Sequence, residues 1–458
     1  MKELEYPFDA AYIIKKRKSL KKALLADGTS RIRKKIAVFG GSTTSDIVKT
    51  LELFLLDTGI EPEFYESEYA QYFQDAVFPD ETLLSFKPDI VFIHTTNRNV
   101  TNWPEMTDTT EQIDEKLHTE INRFTAMWKS IAEKFHCPII QNNFEMPLYR
   151  LLGSRDAWDI HGRTNFLTRL NEAFYAYARE NESFYIHDLN FVSADYGLKE
   201  WSNPLFWNMY KYAMCFEAIP SFAFSVSHII KSIFGKNKKA LALDLDNTLW
   251  GGVVGDDGVD GIEIGQETGV SQSYYEFQTY VKQLKSLGIV LTVCSKNDHE
   301  NAIAGLNHPE GALRPDDFVI IKANWENKDR NIAETAAELN ILPDSIVFAD
   351  DNPAEREIVR TQIKGAAVPD MDGVENYITT IDRSGFFEVT TFSEDDLKRN
   401  EMYKKNALRA AEMASFGDYN DYLKSLEMHA VIDDFIPVYL ARITQLTNKS
   451  NQFNVTTR

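Results

Sequence analysis

The chain has 458 residues, of which 43% are hydrophobic, and its formal net charge at pH 7 is −20. A chain of this length and composition is expected to fold into two or three domains with sizeable cores. The acidic balance argues against a nucleic-acid backbone as the main partner, because proteins that bind nucleic acids carry basic surfaces.

Cysteine content and hydropathy predict a soluble cytoplasmic protein with no membrane partner. Three cysteines (Cys137, Cys215 and Cys294) are too few for a disulfide framework and favour a reducing compartment. The charged N-terminal segment lacks the apolar core of a secretory signal. No segment approaches the roughly 18 apolar residues that a membrane-spanning helix needs.

The first part of the chain alternates predicted strands and helices. The segment from Lys34, KKIAVFGGSTTSDIVKTLELFLLDTGI, has the pattern of a buried strand, a glycine turn and an amphipathic helix. Further buried strands are predicted at PDIVFIHT, CPIIQNN and SFYIHDLN, with helical segments between them. Strands that alternate with helices favour a parallel, doubly wound sheet.

A second strand–helix series follows the short basic segment FGKNKK, where we place a domain boundary. Its strands are predicted at KALALDLD, GIVLTVCS, DFVII and SIVFAD, with helices between them. The residues after this series have the pattern of charged helices, with one strand at HAVIDDF. The predicted fold class is therefore α/β, with two doubly wound parallel-sheet domains and a mainly helical C-terminal region. The predicted domains are residues 1–235, 236–385 and 386–458.

Unusual polar residues stand at the strand ends and at one helix start of the second series. They are Asp244, Asp246, Ser295, Lys328, Asp350 and Asp351. Ligands of open parallel sheets gather outside the carboxyl ends of the strands, so we expect these side chains to converge. Clustered carboxylates need a cation, and oxygen ligands favour Mg²⁺. The chemistry that fits is phosphoryl transfer, in which one aspartate attacks phosphorus and a second handles protons.

The order D-L-D-N-T, then S, then K, then D-D resembles the four motifs of the haloacid dehalogenase (HAD) superfamily. The resemblance implies that Asp244 is the nucleophile and Asp246 the acid/base. The implied phosphate-binding residues are Thr248, Ser295 and Lys328. The implied ligands of Mg²⁺ are Asp244, Asp246, Asp350 and Asp351. The alternative, that these residues are only caps and solvated turns, does not explain why all four motifs occur in order.

The spacing between the motifs leaves no room for an inserted cap domain. Between Asp246 and Ser295 there is space for a loop, one helix and one strand, and the stretch from Ser295 to Asp350 is similarly short. We therefore expect a capless HAD site, open to a large substrate or covered by the neighbouring domain. The glycine-rich segment WGGVVGDDGVDGIEIG (250–265) is interpreted as a flap over the site, as a β-hairpin, or as both.

Five strings together resemble the FkbH-like family: LDLDNTLWGGVVGDDG, VCSKND, NWENK, FADDNPAERE and TNKSNQFNVTTR. Some members take a glyceryl unit from 1,3-bisphosphoglycerate, remove its phosphate and pass it to an acyl carrier protein through a cysteine thioester. The resemblance makes Cys294 the candidate thiol, with a pKa lowered by a nearby lysine and metal. The alternative for Cys294 is a small buried side chain in a strand. The resemblance also makes residues 386–458 the start of an acyltransferase-like segment.

The turn FGGSTTSD (39–46) resembles that of the SGNH hydrolases, in which a Gly-Asp-Ser turn presents the nucleophile. Ser42 corresponds to that nucleophile, and Asn97 to the asparagine of the oxyanion hole. Gly41 stands in place of the aspartate, and no histidine follows Asp188 or Asp195 by three residues. An unactivated serine is a poor nucleophile, so we interpret the first domain as degenerate, with a binding or capping role.

Four functions follow from these patterns. The preferred one is a Mg²⁺-dependent phosphohydrolase or phosphotransferase that uses Asp244 on a small phosphorylated metabolite or a carrier-bound substrate. The second is glyceryl transfer to an acyl carrier protein, which also needs Cys294. The third is ester hydrolysis through Ser42, and the fourth is a non-catalytic scaffold.

Overall fold

The computed structural model describes residues 1–394 and 398–405, together with the isolated positions 409, 424, 427, 429 and 434. Residues 1–400 form one compact unit that contains two sheets. Every strand pair in both sheets is parallel. The predicted α/β class with two doubly wound parallel sheets is confirmed. The predicted boundary at 235/236 falls between the two sheets, and as a domain limit it stays a prediction.

The first sheet has five strands in the order β2-β1-β3-β4-β5. The strands are β1 (Ile32–Gly40), β2 (Ile60–Glu66), β3 (Ile90–His94), β4 (Ile139–Asn142) and β5 (Phe184–His187). The sequence analysis missed β2, IEPEFYE, because its proline and glutamates suppress the strand pattern. Such residues are tolerated there because β2 is an edge strand.

Ten helices accompany this sheet in the described residues. They are α1 (Ala10–Ala26), α2 (Ser45–Asp57), α3 (Tyr72–Val77), α4 (Glu81–Phe86), α5 (Thr110–Phe135), α6 (Arg163–Glu180), α7 (Leu189–Tyr196), α8 (Leu198–Trp201), α9 (Pro204–Tyr210) and α10 (Ile219–Ile233). Alternate residues of β1 face opposite sides, so the sheet buries two cores. Ile36 and Val38 pack with α1, α2 and α10. Ala37 and Phe39 pack on the other face with α5 and α6.

The second sheet has the order β8-β7-β6-β9. Its strands are β6 (Ala240–Leu243), β7 (Val290–Ser295), β8 (Ile320–Ala323) and β9 (Ile346–Ala349). Its helices are α11 (Val254–Asp257), α12 (Gly269–Ser286), α13 (His299–Leu306), α14 (Lys328–Glu338), α15 (Pro353–Gln362) and α16 (Tyr377–Arg383). Residues 244–345 are all described, and they contain no inserted cap domain between the motifs.

The C-terminal predictions fall mostly on residues that the structure does not describe. Residues 398–405 are helical, as predicted. The later helices, the strand at HAVIDDF and the acyltransferase-like segment lie outside the described residues, apart from isolated positions. None of the described helices combines the length and the apolar character that crossing a bilayer requires.

Candidate active site

Asp244 and Asp350 lie side by side at the carboxyl end of the second sheet. Asp244 directly follows β6, Asp350 directly follows β9, and these two strands are neighbours. The backbone N–H of Asp244 donates to the carbonyl of Ala349 at 3.0 Å, which continues the pairing beyond β6. The parallel topology therefore brings the two carboxylates together, as expected for residues that close adjacent strands.

Lys328, the first residue of α14, bridges this pair. Its Nζ lies 3.1 Å from Asp244 Oδ1 and 2.5 Å from Asp350 Oδ2, and all three side chains are at most 9% exposed. Burial lowers the pKa of Lys328, but the two carboxylates together outweigh it and raise the pKa above its ordinary value. Burial and the nearby Asp244 raise the pKa of Asp350. One ammonium thus faces two buried carboxylates.

Asp246 is held in place by three hydrogen-bond donors. Its Oδ1 accepts from the indole N–H of Trp250 at 2.9 Å and from the backbone N–H of Val254 at 3.0 Å. Its Oδ2 accepts from the Asn297 amide at 2.9 Å. Burial, and to a smaller extent Asp244, raise the pKa of Asp246 despite these donors. The sequence analysis did not single out Trp250 or Asn297, although both lie within the quoted FkbH-like strings.

Thr248 contacts Asp351 through its hydroxyl group. Its hydroxyl lies 3.3 Å from Asp351 Oδ1 and accepts from the Asp351 backbone N–H at 3.1 Å. Burial and Asp244 raise the pKa of Asp351. Ser295 closes β7 with a side chain that is 1% exposed. The structure places both predicted phosphate-binding hydroxyls near the ends of the central strands.

Arg356, on α15, supports the loop that carries the two consecutive aspartates. Its Nη1 donates to the backbone carbonyl of Asp350 at 2.9 Å and to that of Asp351 at 2.7 Å. The residue is only 3% exposed. The sequence analysis missed this residue, because an arginine in the helix after the motif looks like a solvated charge until the packing is known.

The glycine-rich segment 250–265 is not a β-hairpin, which corrects one of the two interpretations of its sequence. Gly251 and Glu263 pair through two backbone hydrogen bonds of 2.8 and 3.0 Å, so the ends of the segment do meet. Helix α11 and a short 3₁₀ turn fill the space between them. The first residue of α11, Val254, donates to Asp246, so this segment forms part of the wall of the site.

The carboxylates fit a divalent metal ion. Oxygens of Asp244, Asp350 and Asp351 all lie within 4.8 Å of one another. Hard cations such as Mg²⁺ prefer oxygen ligands, and a cation would relieve the repulsion that contributes to the raised pKa of Asp350 and Asp351. Asp246, also predicted as a ligand, lies outside this group. Its two oxygens accept hydrogen bonds from Trp250, Val254 and Asn297.

Cys294 lies within β7 with its side chain fully buried. Its Sγ lies 3.6 Å from the backbone carbonyl of Lys328, at the start of α14. The expectation of a lowered pKa is wrong: burial raises the pKa of the thiol, and the Lys328 charge only partly offsets it. Ser295 and Cys294 are consecutive strand residues and so point to opposite faces of the sheet. This environment matches the alternative of a small buried side chain.

In the first sheet, Ser42 is buried under the segment that ends α9. Thr43 donates its backbone N–H to the carbonyl of Lys211 at 3.0 Å and its hydroxyl to that of Tyr210 at 2.6 Å. The Ser42 side chain is 2% exposed, and none of the described residues hydrogen-bonds to its Oγ. No histidine therefore activates this serine within the described part of the chain.

Asn99, rather than Asn97, lies against the serine turn. The Asn99 amide donates to the carbonyl of Gly41 at 2.9 Å. A Cβ at position 41 would stand 2.4 Å from Asn99 Oδ1, so this packing leaves no room for the aspartate of the SGNH motif. Asn97 instead bonds to Glu145, with its amide 3.4 Å from the Glu145 carbonyl. The hydrogen bonds of Asn97 therefore go to Glu145, whereas the Ser42 hydroxyl has no hydrogen-bond partner among the described residues.

The chain is similar to a known protein family and to a solved structure. The family model described as FkbH, N-terminal domain, matches residues 35–231. The crystal structure of the N-terminal part of the protein BF1531 from Bacteroides fragilis, which contains a phosphatase domain complexed with Mg, shares 30% identity with the chain. The match covers 82% of this chain and 99% of the other, with a TM-score of 0.75. The chain belongs to the FkbH-like family of the HAD superfamily.

Other solved structures resemble this FkbH-like protein less. A putative acylhydrolase from Bacteroides fragilis is 17% identical, with a TM-score of 0.27 over 48% of this chain and 97% of its own. A gut microbial diltiazem-metabolizing enzyme is 12% identical, with a TM-score of 0.29 over 47% of this chain and 52% of its own. No curated protein matches this FkbH-like protein.

Proposed function

We propose that this FkbH-like protein is a Mg²⁺-dependent HAD-type phosphohydrolase or phosphotransferase that acts through an aspartyl-phosphate on Asp244. One observation carries the proposal: Asp244, Asp350 and Asp351 converge at the carboxyl ends of β6 and β9, with Lys328 bridging the first two. The similarity to a protein that contains a phosphatase domain complexed with Mg supports the same chemistry.

Asp244 is the group placed to attack phosphorus. Its backbone is fixed by the hydrogen bond to Ala349, and its Oδ1 lies 3.1 Å from the ammonium of Lys328 at the strand end. The oxygen–phosphorus bond that forms gives an aspartyl-phosphate, while the bond to the leaving oxygen breaks. Attack by water, or by an acceptor hydroxyl, then returns Asp244 to its carboxylate form.

Asp246 is the group placed to move protons. Trp250 and Asn297 fix its carboxyl two residues beyond the nucleophile. In the first step Asp246 protonates the leaving oxygen, and in the second it takes a proton from the attacking water. Because its orientation is already set by hydrogen bonds, little reorganisation is needed in either step.

The remaining residues neutralise the transferring group. Lys328, Ser295 and Thr248 are the chain's candidates to contact the phosphoryl oxygens, since they stand at the ends of the same strands or at the start of α14. Asp244, Asp350 and Asp351 would hold the metal ion. When bound there, Mg²⁺ supplies positive charge to the phosphoryl oxygens as negative charge spreads over them.

The geometry does not favour the two alternative enzymes. Glyceryl transfer through Cys294 requires an accessible thiolate, whereas this thiol is buried and its pKa is raised. Ester hydrolysis through Ser42 requires an activating base, and the described residues place none beside its hydroxyl. An acyl carrier protein as partner and a cytoplasmic location stay predictions from the sequence.

The proposal is tested by measuring phosphate release from a panel of phosphate esters that includes 1,3-bisphosphoglycerate. The parent is expected to release phosphate with Mg²⁺ and to stop when the metal is chelated. Asp244→Asn should lower the rate by about 10³-fold or more, because the nucleophile is lost. Asp344→Asn, which changes an exposed acid just before β9, at the opposite end of that strand from Asp350, should leave the rate unchanged. Release by Asp244→Asn at the parent rate would contradict the role of Asp244.

Metal binding has a readout that needs no turnover. Mg²⁺ should raise the melting temperature of the parent, because an ion that binds only the folded state stabilises it. The shift should disappear in Asp350→Asn and persist in Asp344→Asn. An equal shift in both variants would contradict a metal site at Asp350.

A further inference from the structure

The first sheet carries a cavity of about 450 Å³ at its carboxyl end. Asn97 follows β3 and Glu145 follows β4, and both line this cavity. Crevices outside the carboxyl ends of parallel strands are the usual ligand sites of open α/β sheets. Ser42 is not among the lining residues, so the cavity is not centred on the serine turn.

Two arginines in this cavity have no acidic partner. Arg98 stacks on the ring of Trp207 at 4.8 Å, and Arg163 stacks on that of Trp103 at 4.9 Å. Within the described ranges, no carboxylate lies within ion-pair distance of either guanidinium. Stacking fixes each guanidinium plane. Arg163 Nη1 also donates to the Tyr149 hydroxyl at 3.1 Å, and the remaining guanidinium N–H groups of the two arginines have no hydrogen-bond partner among the described residues. In a chain whose net charge is −20, two such arginines in one cavity form an isolated positive site.

The acidic residue of the cavity does not cancel this charge. Glu145 is 5% exposed, and its Oε2 accepts a 3.3 Å hydrogen bond from the backbone N–H of Asn97. Burial raises the pKa of Glu145 to about 8, although Arg98 and backbone donors partly oppose the shift. At neutral pH the carboxyl is mostly protonated, and it can donate a hydrogen bond to an oxyanion.

The geometry points to a second ligand site, in which this cavity binds a small organic anion. The oxyanion, a carboxylate or a phosphate, contacts Arg98 and Arg163. The flat or apolar carbon skeleton packs against Trp103 and Trp207. This site lies on the first sheet, apart from the carboxylates at Asp244, and it does not depend on the proposed phosphatase chemistry.

The test is isothermal titration calorimetry of the full chain, without metal, with three probes that share one ring. Benzoate carries a carboxylate, phenyl phosphate carries a phosphate ester, and benzamide is the neutral analogue. At least one anion should bind, and benzamide should bind at least about tenfold more weakly, because charge-assisted hydrogen bonds are lost. The two anions distinguish a carboxylate ligand from a phosphate ligand.

Matched variants locate the binding. Arg98→Gln and Arg163→Gln should each weaken binding of the anion by about tenfold or more, since each removes one charged donor. Arg33→Gln removes an exposed arginine whose partner is Glu61 on the edge strand, and it should bind like the parent. The proposal is overturned if neither anion binds, if benzamide binds as well as the anions, or if both cavity variants bind like the parent.

Discussion

Both sheets are parallel, but the buried side chains at the ends of their central strands differ. In the first sheet a histidine pairs with an asparagine, and in the second a lysine pairs with two aspartates. At the end of β3, His94 is fully buried and its Nδ1 lies 3.2 Å from the Asn142 Oδ1, so neutral groups pair with one another. At the ends of β6 and β9, Asp244 and Asp350 meet the charge of Lys328. Burial favours the neutral form of His94, whereas at the second sheet one ammonium lies between two buried carboxylates.

This comparison shows why a strand end alone does not make a catalytic site. Ser42 lies two residues after β1, and Asp244 directly follows β6. Of these two residues, Asp244 has a charged partner, the ammonium of Lys328. Three measurements test this difference between the two sheets, and they are ordered by the size of the expected effect.

The largest effect is expected from Lys328→Met. Removing the ammonium leaves two buried carboxylates without a cation, which should lower the free energy of unfolding by about 3–5 kcal/mol in the absence of metal. Urea unfolding with a chelator measures this loss. The matched control is Lys322→Met, whose partners Glu334 and Glu338 are 44% and 48% exposed. That change should cost at most about 1 kcal/mol. Equal losses of unfolding free energy in the two variants would contradict the idea that Asp244 and Asp350 need Lys328 to stay buried.

An intermediate effect is expected from His94. Burial lowers its pKa from 6.5 to about 4, so between these values the unfolded chain binds a proton that the folded chain does not. The stability is therefore complete above pH 6.5 and falls as the pH drops, by about 3 kcal/mol for this one group.

Unfolding measured by urea at several pH values checks this prediction. His94→Gln should reduce the loss between pH 6.5 and 4 by about the share of this one group, because the substituted amide does not titrate there. His187 and His228, whose pKa values burial also lowers, keep their share of the loss. His299→Gln, which changes an exposed histidine, should keep the slope of the parent. If His94→Gln keeps the parent slope as well, the buried imidazole of His94 does not contribute to the dependence of stability on pH.

The smallest effect is expected from Ser42→Ala. The hydroxyl is buried and has no hydrogen-bond partner in the described part of the chain, so its removal should change the free energy of unfolding by no more than about 1 kcal/mol. Phosphate release should be unchanged, and a fluorophosphonate should label neither the parent nor the variant. Labelling of the parent that Ser42→Ala abolishes would reveal a nucleophile at this turn.

Much of the architecture was predictable because strand and helix patterns are local. Buried runs such as ALAL and IVFA are apolar along their whole length, and they became the adjacent strands β6 and β9. The edge strand β2 was missed for the complementary reason. Its polar residues are allowed by its position at the edge of the sheet, and this position is not encoded in the strand's own pattern.

The order of the motifs and the rule that ligands gather at strand ends were enough to predict that Asp244, Lys328 and Asp350 would meet. The partners of Asp246 were not predictable in the same way. Asn297 is 51 residues away along the chain, and it reaches Asp246 only because β6 and β7 are paired. Cys294 was expected to have a pKa lowered by a nearby lysine and metal, whereas burial raises the pKa of this thiol.

By itself, the sequence determined the α/β class, the parallel sheets and the residues that close their strands, because these depend on periodicity and residue type over short stretches. Tertiary structure decided which of those residues are accessible and what they contact. Tyr210 lies 167 residues from Thr43 along the chain, yet its carbonyl bonds to Thr43 where the segment closes over Ser42. Burial and hydrogen-bond partners arise from contacts between distant segments, and these contacts fix whether a polar side chain is charged, neutral or inaccessible.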